Sequence, residues 1–252
     1  MFPEIKKHIF IVSTGRTGTH FFKKFFGGYS DEILGLHEPS PSFKRRGYEL
    51  ITREPTLYER LYFKSFRVAR YCFKNYNFYL EANNCLFSSL PLIRTAFPNS
   101  FIIHVIRDGR EVVRSYMNSF KRYAKAPYGS GQLNPGHFEN DPYKSRWKSM
   151  NPIEKTAWFW LRVNEVIEAG QPDMTVFFEK FFSPPHAPLE KIIEKCKLPE
   201  VSKDYIRESF ANKSASSAVD YIPKWPQWPP TWKKQFANIC GNKMEEYGYV
   251  FD

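Results

Sequence analysis

The 252-residue chain has only four cysteines, Cys72, Cys85, Cys196 and Cys240, and no C-x-x-C pair among them. That scatter argues against a disulfide framework or a thiolate metal site, and reduced thiols in a cytoplasm are expected instead. Long apolar runs are missing too. "IFIV" and "FIIHVI" are far too short to cross a bilayer. A signal peptide is not expected, because a glycine-containing loop begins almost at once. Acidic residues are few: 26 Asp and Glu face 37 Lys and Arg, a net charge of +11. This balance favours an anionic partner such as nucleic acid, a membrane surface, a polyanionic sugar or a nucleotide. A merely soluble basic surface explains it equally well. There is no internal repeat, no low-complexity tract and no nucleic-acid-binding motif. The basic residues are dispersed rather than gathered on one helix, which weighs against a non-enzymatic nucleic-acid-binding module.

Aromatic residues are abundant, 18% of the chain with 24 Phe and 15 Tyr, so most of it is expected to be ordered. Buried strands are expected at "HIFIVS" (8–13), "EILGLHE" (32–38), "FYLEA" (78–82), "SFIIHVIR" (100–107) and "MTVFF" (174–178). The unbroken apolar character of 100–107 suits the centre of a parallel sheet. Helices are expected from Gly18 to about Phe26, from Pro55 to about Lys74, over 86–97, after Gly109, and over 153–169. Two more helical segments follow the last strand, and a final helix ends the chain. Residues 126–152, rich in Pro, Gly, Asn and Ser, read as a long flexible loop or lid. Alternating strands and helices predict an α/β sheet with right-handed crossovers, in one domain spanning 1–252. Ligands of such sheets sit beyond the carboxyl ends of the strands. Ser13–His20, His37-Glu38, Arg107-Asp108 and Phe178-Glu179 all fall at such ends.

"STGRTGTHFF" (13–22) is the first of these clusters. A glycine turn leading into a helix offers free backbone N–H groups and a partial positive charge. Arg16, Thr17, Thr19 and His20 add side-chain donors around Gly15 and Gly18, a set suited to a tetrahedral anion. An ATP-binding loop would require G-x-x-x-x-G-K-[ST]. Here the glycines are three apart and Thr19 stands in the place of the lysine. Asp108, after the strong strand, mimics a Walker B aspartate and keeps an ATP-dependent kinase as the alternative enzyme. In the second cluster, "IRDGREVVRSY", Arg107 ends a strand and Ser115 lies about two helical turns in. An arginine so placed suits bidentate phosphate contacts, and a salt bridge with Asp108 or Glu111 is its bland alternative.

Together the two clusters resemble the nucleotide-binding motifs of sulfotransferases that use 3′-phosphoadenosine-5′-phosphosulfate (PAPS). Arg16-Thr17-Gly18-Thr19 matches the loop that grips the sulfonate and 5′-phosphate. Arg107-Asp108-Gly109-Arg110 with Ser115 matches the motif that grips the 3′-phosphate. "FPNSFIIHVIRD", "VFFEKFF" and "EEYGY" extend the resemblance from residue 8 to about 249. Arg16 and Phe21 stand where cytosolic small-molecule members carry Lys and Trp, and the Arg-Lys-Gly motif of those members is absent. The chain is thus closer to carbohydrate and bacterial members.

The resemblance implies a three-layer P-loop NTPase-like fold with a central parallel sheet, and transfer of sulfonate from PAPS to a hydroxyl, without a metal ion. The acceptor implied is a carbohydrate, glycan or other metabolite. Gly15, Arg16, Thr17, Gly18, Thr19 and His20 would hold the donor, with Arg107 and Ser115 on its 3′-phosphate. Phe21 and Phe178 would stack on adenine, unless they are core residues. Lys213 or Lys224 would replace the missing basic motif. Catalytic roles fall to Arg16, His20 and a general base, Glu38, in "GLHEPS". On a continuous strand His37 and Glu38 point to opposite faces, so His37 is the alternative base. His104 is expected to be structural. Trp225, Trp228 and Trp232, in the Pro/Trp loop 221–232, suit either sugar stacking or a packed aromatic plug.

Overall fold

The computed structural model describes residues 5–72, 74–119, 133–212 and 221–251. Five parallel strands form one sheet: β1 (Lys7–Ser13), β2 (Ile33–His37), β3 (Phe78–Ala82), β4 (Ser100–Ile106) and β5 (Met174–Phe177). Their spatial order is β2-β3-β1-β4-β5, with β1 at the centre. Side-chain alternation divides the interior. Ile9 and Ile11 of β1 face one core, while Phe10 and Val12 face the other. Both sheet faces are therefore apolar and both are covered by helices, the three-layer arrangement expected of a parallel sheet.

On the first face lie α1 (Thr19–Phe26), α7 (Phe178–Phe182), α8 (Ala187–Cys196) and α9 (Lys203–Ala211). Helix α1 turns Phe22, Phe25 and Phe26 inward. The other face carries α2 (Lys44–Glu49), α3 (Leu57–Val68), α4 (Leu90–Ala96), α5 (Gly109–Ser119), α6 (Pro152–Ala169) and α10 (Pro230–Glu246). Capping boxes start α3 (Thr56 with Glu59) and α6 (Asn151 with Glu154), each satisfying two otherwise orphaned amide donors.

The helix expected over 55–74 is confined to α3, and that over 86–97 divides into a short 3₁₀ turn (Asn84–Leu86) and α4. Strand β5 stops at Phe177, so Phe178 opens a helix instead of ending a strand. Residues 133–151 form an irregular strap anchored by Asp141, which accepts from the Trp158 indole at 2.9 Å and Arg162 at 2.8 Å. The first part of the expected lid, 126–132, lies outside the described residues.

Candidate active site

The strand ends assemble the site. After β1 the backbone turns left-handed at Gly15 (φ 79°), Arg16 (φ 60°) and Gly18 (φ 75°). Gly15 is required here, since a Cβ would sit 2.6 Å from the Tyr116 hydroxyl and 2.9 Å from the Asn84 amide nitrogen. Arg16 adopts the same region with a side chain, a conformation costing on the order of 1 kcal/mol and typical of functional turns. The turn is held from within. The Gly15 amide and the Thr17 hydroxyl both donate to Ser13 Oγ, at 3.0 and 2.7 Å, and Tyr116 donates to the Thr14 carbonyl at 2.7 Å. The first amides of α1 have no intrahelical acceptor, so the loop offers donors and a positive helix end at one point.

The second motif closes on the first. Arg107 Nη1 donates to the Arg16 carbonyl at 2.6 Å, and Arg16 Nε donates to Ser115 Oγ at 2.9 Å. Arg107, Arg16 and Ser115 thus form one contiguous cluster across two strand ends. Arg107 also contacts Glu111 at 3.6 Å and lies 4.5 Å from the Phe178 ring centroid. Among the described residues its buried Nε has no hydrogen-bond partner, and burial lowers its pKa below the ordinary guanidinium value. A buried, unsatisfied guanidinium nitrogen beside a nest of amides fits an anionic ligand such as a phosphate. Asp108 is occupied differently from a metal-binding aspartate. Arg110 grips both its oxygens, at 3.0 and 2.7 Å, and the Asp108 amide donates to Glu179.

The end of β2 brings the candidate base to this loop. His37 Nε2 lies 2.9 Å from the Thr19 hydroxyl, and its ring stacks on exposed His20 with 3.7 Å between centroids. Burial, then the neighbouring His20 and Lys23, lower the His37 pKa to about 4, so the imidazole is neutral at pH 7. Glu38 corrects the expectation of opposite faces. Its φ of 42° takes it out of the strand, and its carboxylate comes to 4.0 Å from His37 Nε2. Strand alternation ends where the backbone leaves the extended region.

The two ring candidates for adenine stacking sit below the loop. Phe178 and Phe182 lie under Gly18, and Phe21 packs against Phe182 and Phe210 at 4.9 and 4.8 Å. Lys213 lies outside the described residues. His104 is buried and bonded to Asn164 at 2.9 Å, a structural role as expected. In the Pro/Trp loop the packed plug prevails: Trp228 is buried, its indole donates to the Pro223 carbonyl, and Trp225 packs on Phe236.

Sequence reasoning missed the supports. Asn84 and Tyr116 sit against the loop; Asn84 belongs to no short motif, and Tyr116 closes the second cluster without having been given a role. It also missed a buried charge cluster on β3. Glu81, fully buried, accepts from Arg67 at 3.0 and 3.2 Å, from the Tyr79 hydroxyl at 2.5 Å and from the Asn83 amide at 2.8 Å. Arg67 also donates to the Pro41 carbonyl, three residues beyond Glu38.

The sulfotransferase family profile matches residues 40–203, more than half of the chain. The protein belongs to the sulfotransferase family. The match includes the Arg107–Ser115 motif, while the loop 13–20 precedes it. Among curated proteins none matches the chain by sequence. Two solved structures are similar in fold. One is the sulfotransferase domain from the curacin biosynthetic pathway, with a TM-score of 0.53 and 13% identity over 99% of both chains. The other is mouse sulfotransferase SULT7A1 complexed with PAP, with a TM-score of 0.53 and 15% identity over 98% of this chain and 90% of that one. Such identities establish a shared fold, the P-loop-like α/β fold of this sulfotransferase.

Proposed function

We propose that this sulfotransferase, acting as a single domain, moves a sulfuryl group from PAPS to an acceptor hydroxyl on a carbohydrate or similar metabolite. The observation that carries the reading is the Arg107–Arg16–Ser115 cluster beside a left-handed glycine loop. The loop amides and Arg16 would bind the 5′-phosphate side of the donor, while Arg107 and Ser115 would bind the 3′-phosphate. The orphaned Arg107 Nε gives that phosphate a ready donor. PAP bound to the mouse enzyme of like fold adds support for this class of nucleotide.

In the reaction the acceptor oxygen forms a bond to sulfur as the bond from sulfur to the 5′-phosphate oxygen breaks. Arg16 and the loop amides stabilise the charge that develops on that leaving oxygen. Glu38 takes the hydroxyl proton, beside a neutral His37 whose Nε2 is engaged by Thr19. His20 donates from the exposed side of the His37 ring. All four cysteines are free thiols, which suits a reducing cytoplasm.

Titration calorimetry with PAP, with ATP plus magnesium and with duplex DNA tests the reading. Tight binding of PAP alone is expected. ATP–magnesium binding without PAP binding would favour the kinase, and DNA binding alone the nucleic-acid module. Arg107→Ala should weaken PAP binding by roughly 2–5 kcal/mol. Ser115→Ala should weaken it less. Both should lose less affinity for adenosine 5′-phosphosulfate, which lacks the 3′-phosphate, the remaining loss reflecting their contacts with Arg16. Equal loss for both nucleotides would mean that Arg107 supports the fold.

A further inference from the structure

Helix α3 is amphipathic in the reverse sense. It turns Glu59 and Arg67 into the protein, at 6% and 1% exposure, together with Phe63. Toward solvent it presents Leu57 (66% exposed), Tyr58 (63%), Leu61 (58%) and Phe66 (42%). These are four of the six large hydrophobic side chains that stand exposed among the described residues, so the apolar surface is concentrated on one helix. At about 100° per residue, Leu57, Leu61, Tyr58, Tyr62 and Phe66 sweep about half the helix circumference. The rings are in register: Tyr58 stacks on Tyr62 at 5.8 Å and Tyr62 meets Phe66 at 4.7 Å.

Charge on this helix is equally one-sided. Its one acid, Glu59, is buried and gripped by Arg53. Arg60 and Lys64 flank the Leu57–Leu61 side of the stripe, and Lys64 is exposed. The whole chain carries a net charge of +11. Tyrosines with leucine and phenylalanine on one face, bordered on one side by basic residues and with no exposed acid on the helix itself, match a helix lying in a lipid headgroup layer. Basic residues next to such a face add attraction to anionic lipid.

We propose that α3 docks this protein on the surface of an anionic lipid bilayer, with Leu57, Leu61 and Phe66 inserted at the headgroup level and Lys64 facing lipid phosphate. The same helix and the turn after it hold the segment next to Glu38, since Arg67 of α3 and Arg70 just beyond it donate to the carbonyls of Pro41 and Ser40. Docking through α3 would therefore bring the Glu38 side of the site close to the membrane.

Vesicle flotation tests this without nucleotide or acceptor, so its outcome is independent of the transfer chemistry. Wild-type protein is mixed with phosphatidylcholine vesicles containing about one-third phosphatidylserine, and with vesicles of phosphatidylcholine alone. Flotation with the anionic vesicles only, falling as salt rises, is expected. Leu61→Ser with Phe66→Ser should lower the partition coefficient about tenfold or more. Lys64→Glu, at an exposed position, should lower it about fivefold or more, with the melting temperature checking that the variant is folded. Equal flotation of wild type and Lys64→Glu, flotation with neutral vesicles alike, or none with either overturns the proposal. So does a wild-type dimer in sedimentation equilibrium that becomes monomeric in the double serine variant, which would assign the face to a second copy of this chain.

Discussion

Replacing Glu81 by leucine should be among the most damaging single changes in the molecule. Glu81 is 0% exposed, and Arg67 is 1% exposed. The substitution strips Arg67 of two charge-assisted hydrogen bonds, at 3.0 and 3.2 Å, and leaves a guanidinium buried without its counter-charge. It also removes the acceptor of the Tyr79 hydroxyl and of the Asn83 amide. Breaking one side of a buried pair costs about 3–5 kcal/mol. A typical domain has only about 5–15 kcal/mol in total. Glu81→Leu combined with Arg67→Met removes both charges and should recover most of the loss, because the site is walled by Phe63 and Phe43. The Tyr79 hydroxyl would still be orphaned at about 1–3 kcal/mol, and Tyr79→Phe should recover that as well. Urea unfolding of the three variants measures the series. The repaired triple variant still lacks the Arg67 tether to Pro41, so it should bind PAP normally yet turn over more slowly. A cost below about 1 kcal/mol for Glu81→Leu, or a double variant no more stable than the single, would refute the reasoning.

Glu38→Gln should lower turnover by about 10²–10⁴-fold with little change in PAP affinity. His37→Asn should be milder, and the reverse order in steady-state assays would make the histidine the base. Arg16→Ala should leave the melting temperature close to wild type and cut turnover about 10²–10³-fold; full turnover would make Arg16 a bystander. Burial lowers the pKa of His8 and His104 from 6.5 to about 4, and His37 is lowered as far. The folded state thus favours the neutral rings, and their contribution is full above pH 6.5 and lost as pH falls toward 4. The fully buried His104 ring should account for on the order of 3 kcal/mol of that loss, and the half-buried His8 for less. His104→Gln should flatten the pH dependence of the melting temperature between pH 7 and 4.5, and an unchanged slope would remove His104 as a cause.

The strands were legible because their signals are local. "FYLEA" and "SFIIHVI" are apolar runs of strand length, and β3 occupies the expected residues. That the loop at 13–20 and the Arg107–Ser115 segment would meet was legible for the same reason, as both are short local patterns at strand ends. Helix α2 was not, because "KRRGYE" has neither length nor apolar period. The Glu38 geometry was not, because alternation presumes an extended backbone and Glu38 leaves it. Glu81 and Arg67 are 14 positions apart and look like surface charges; only folding reveals that each is the other's partner. Asn84 and Tyr116 act through contacts with Gly15 and Thr14, across sequence distances that no local pattern spans.

The turn that carries Arg107 is fastened from far downstream. Tyr249 donates to Glu179, whose other oxygen takes the Asp108 amide, and Arg110 donates to the Val250 carbonyl. During synthesis the ribosome releases β4 and α5 some 130 residues before these fasteners. A nascent chain extending only to Glu246 therefore has the loop, the sheet and both arginines, but not the clasp that aligns them. The Arg107 turn is thus fastened late in synthesis, only once Tyr249 and Val250 have left the exit tunnel.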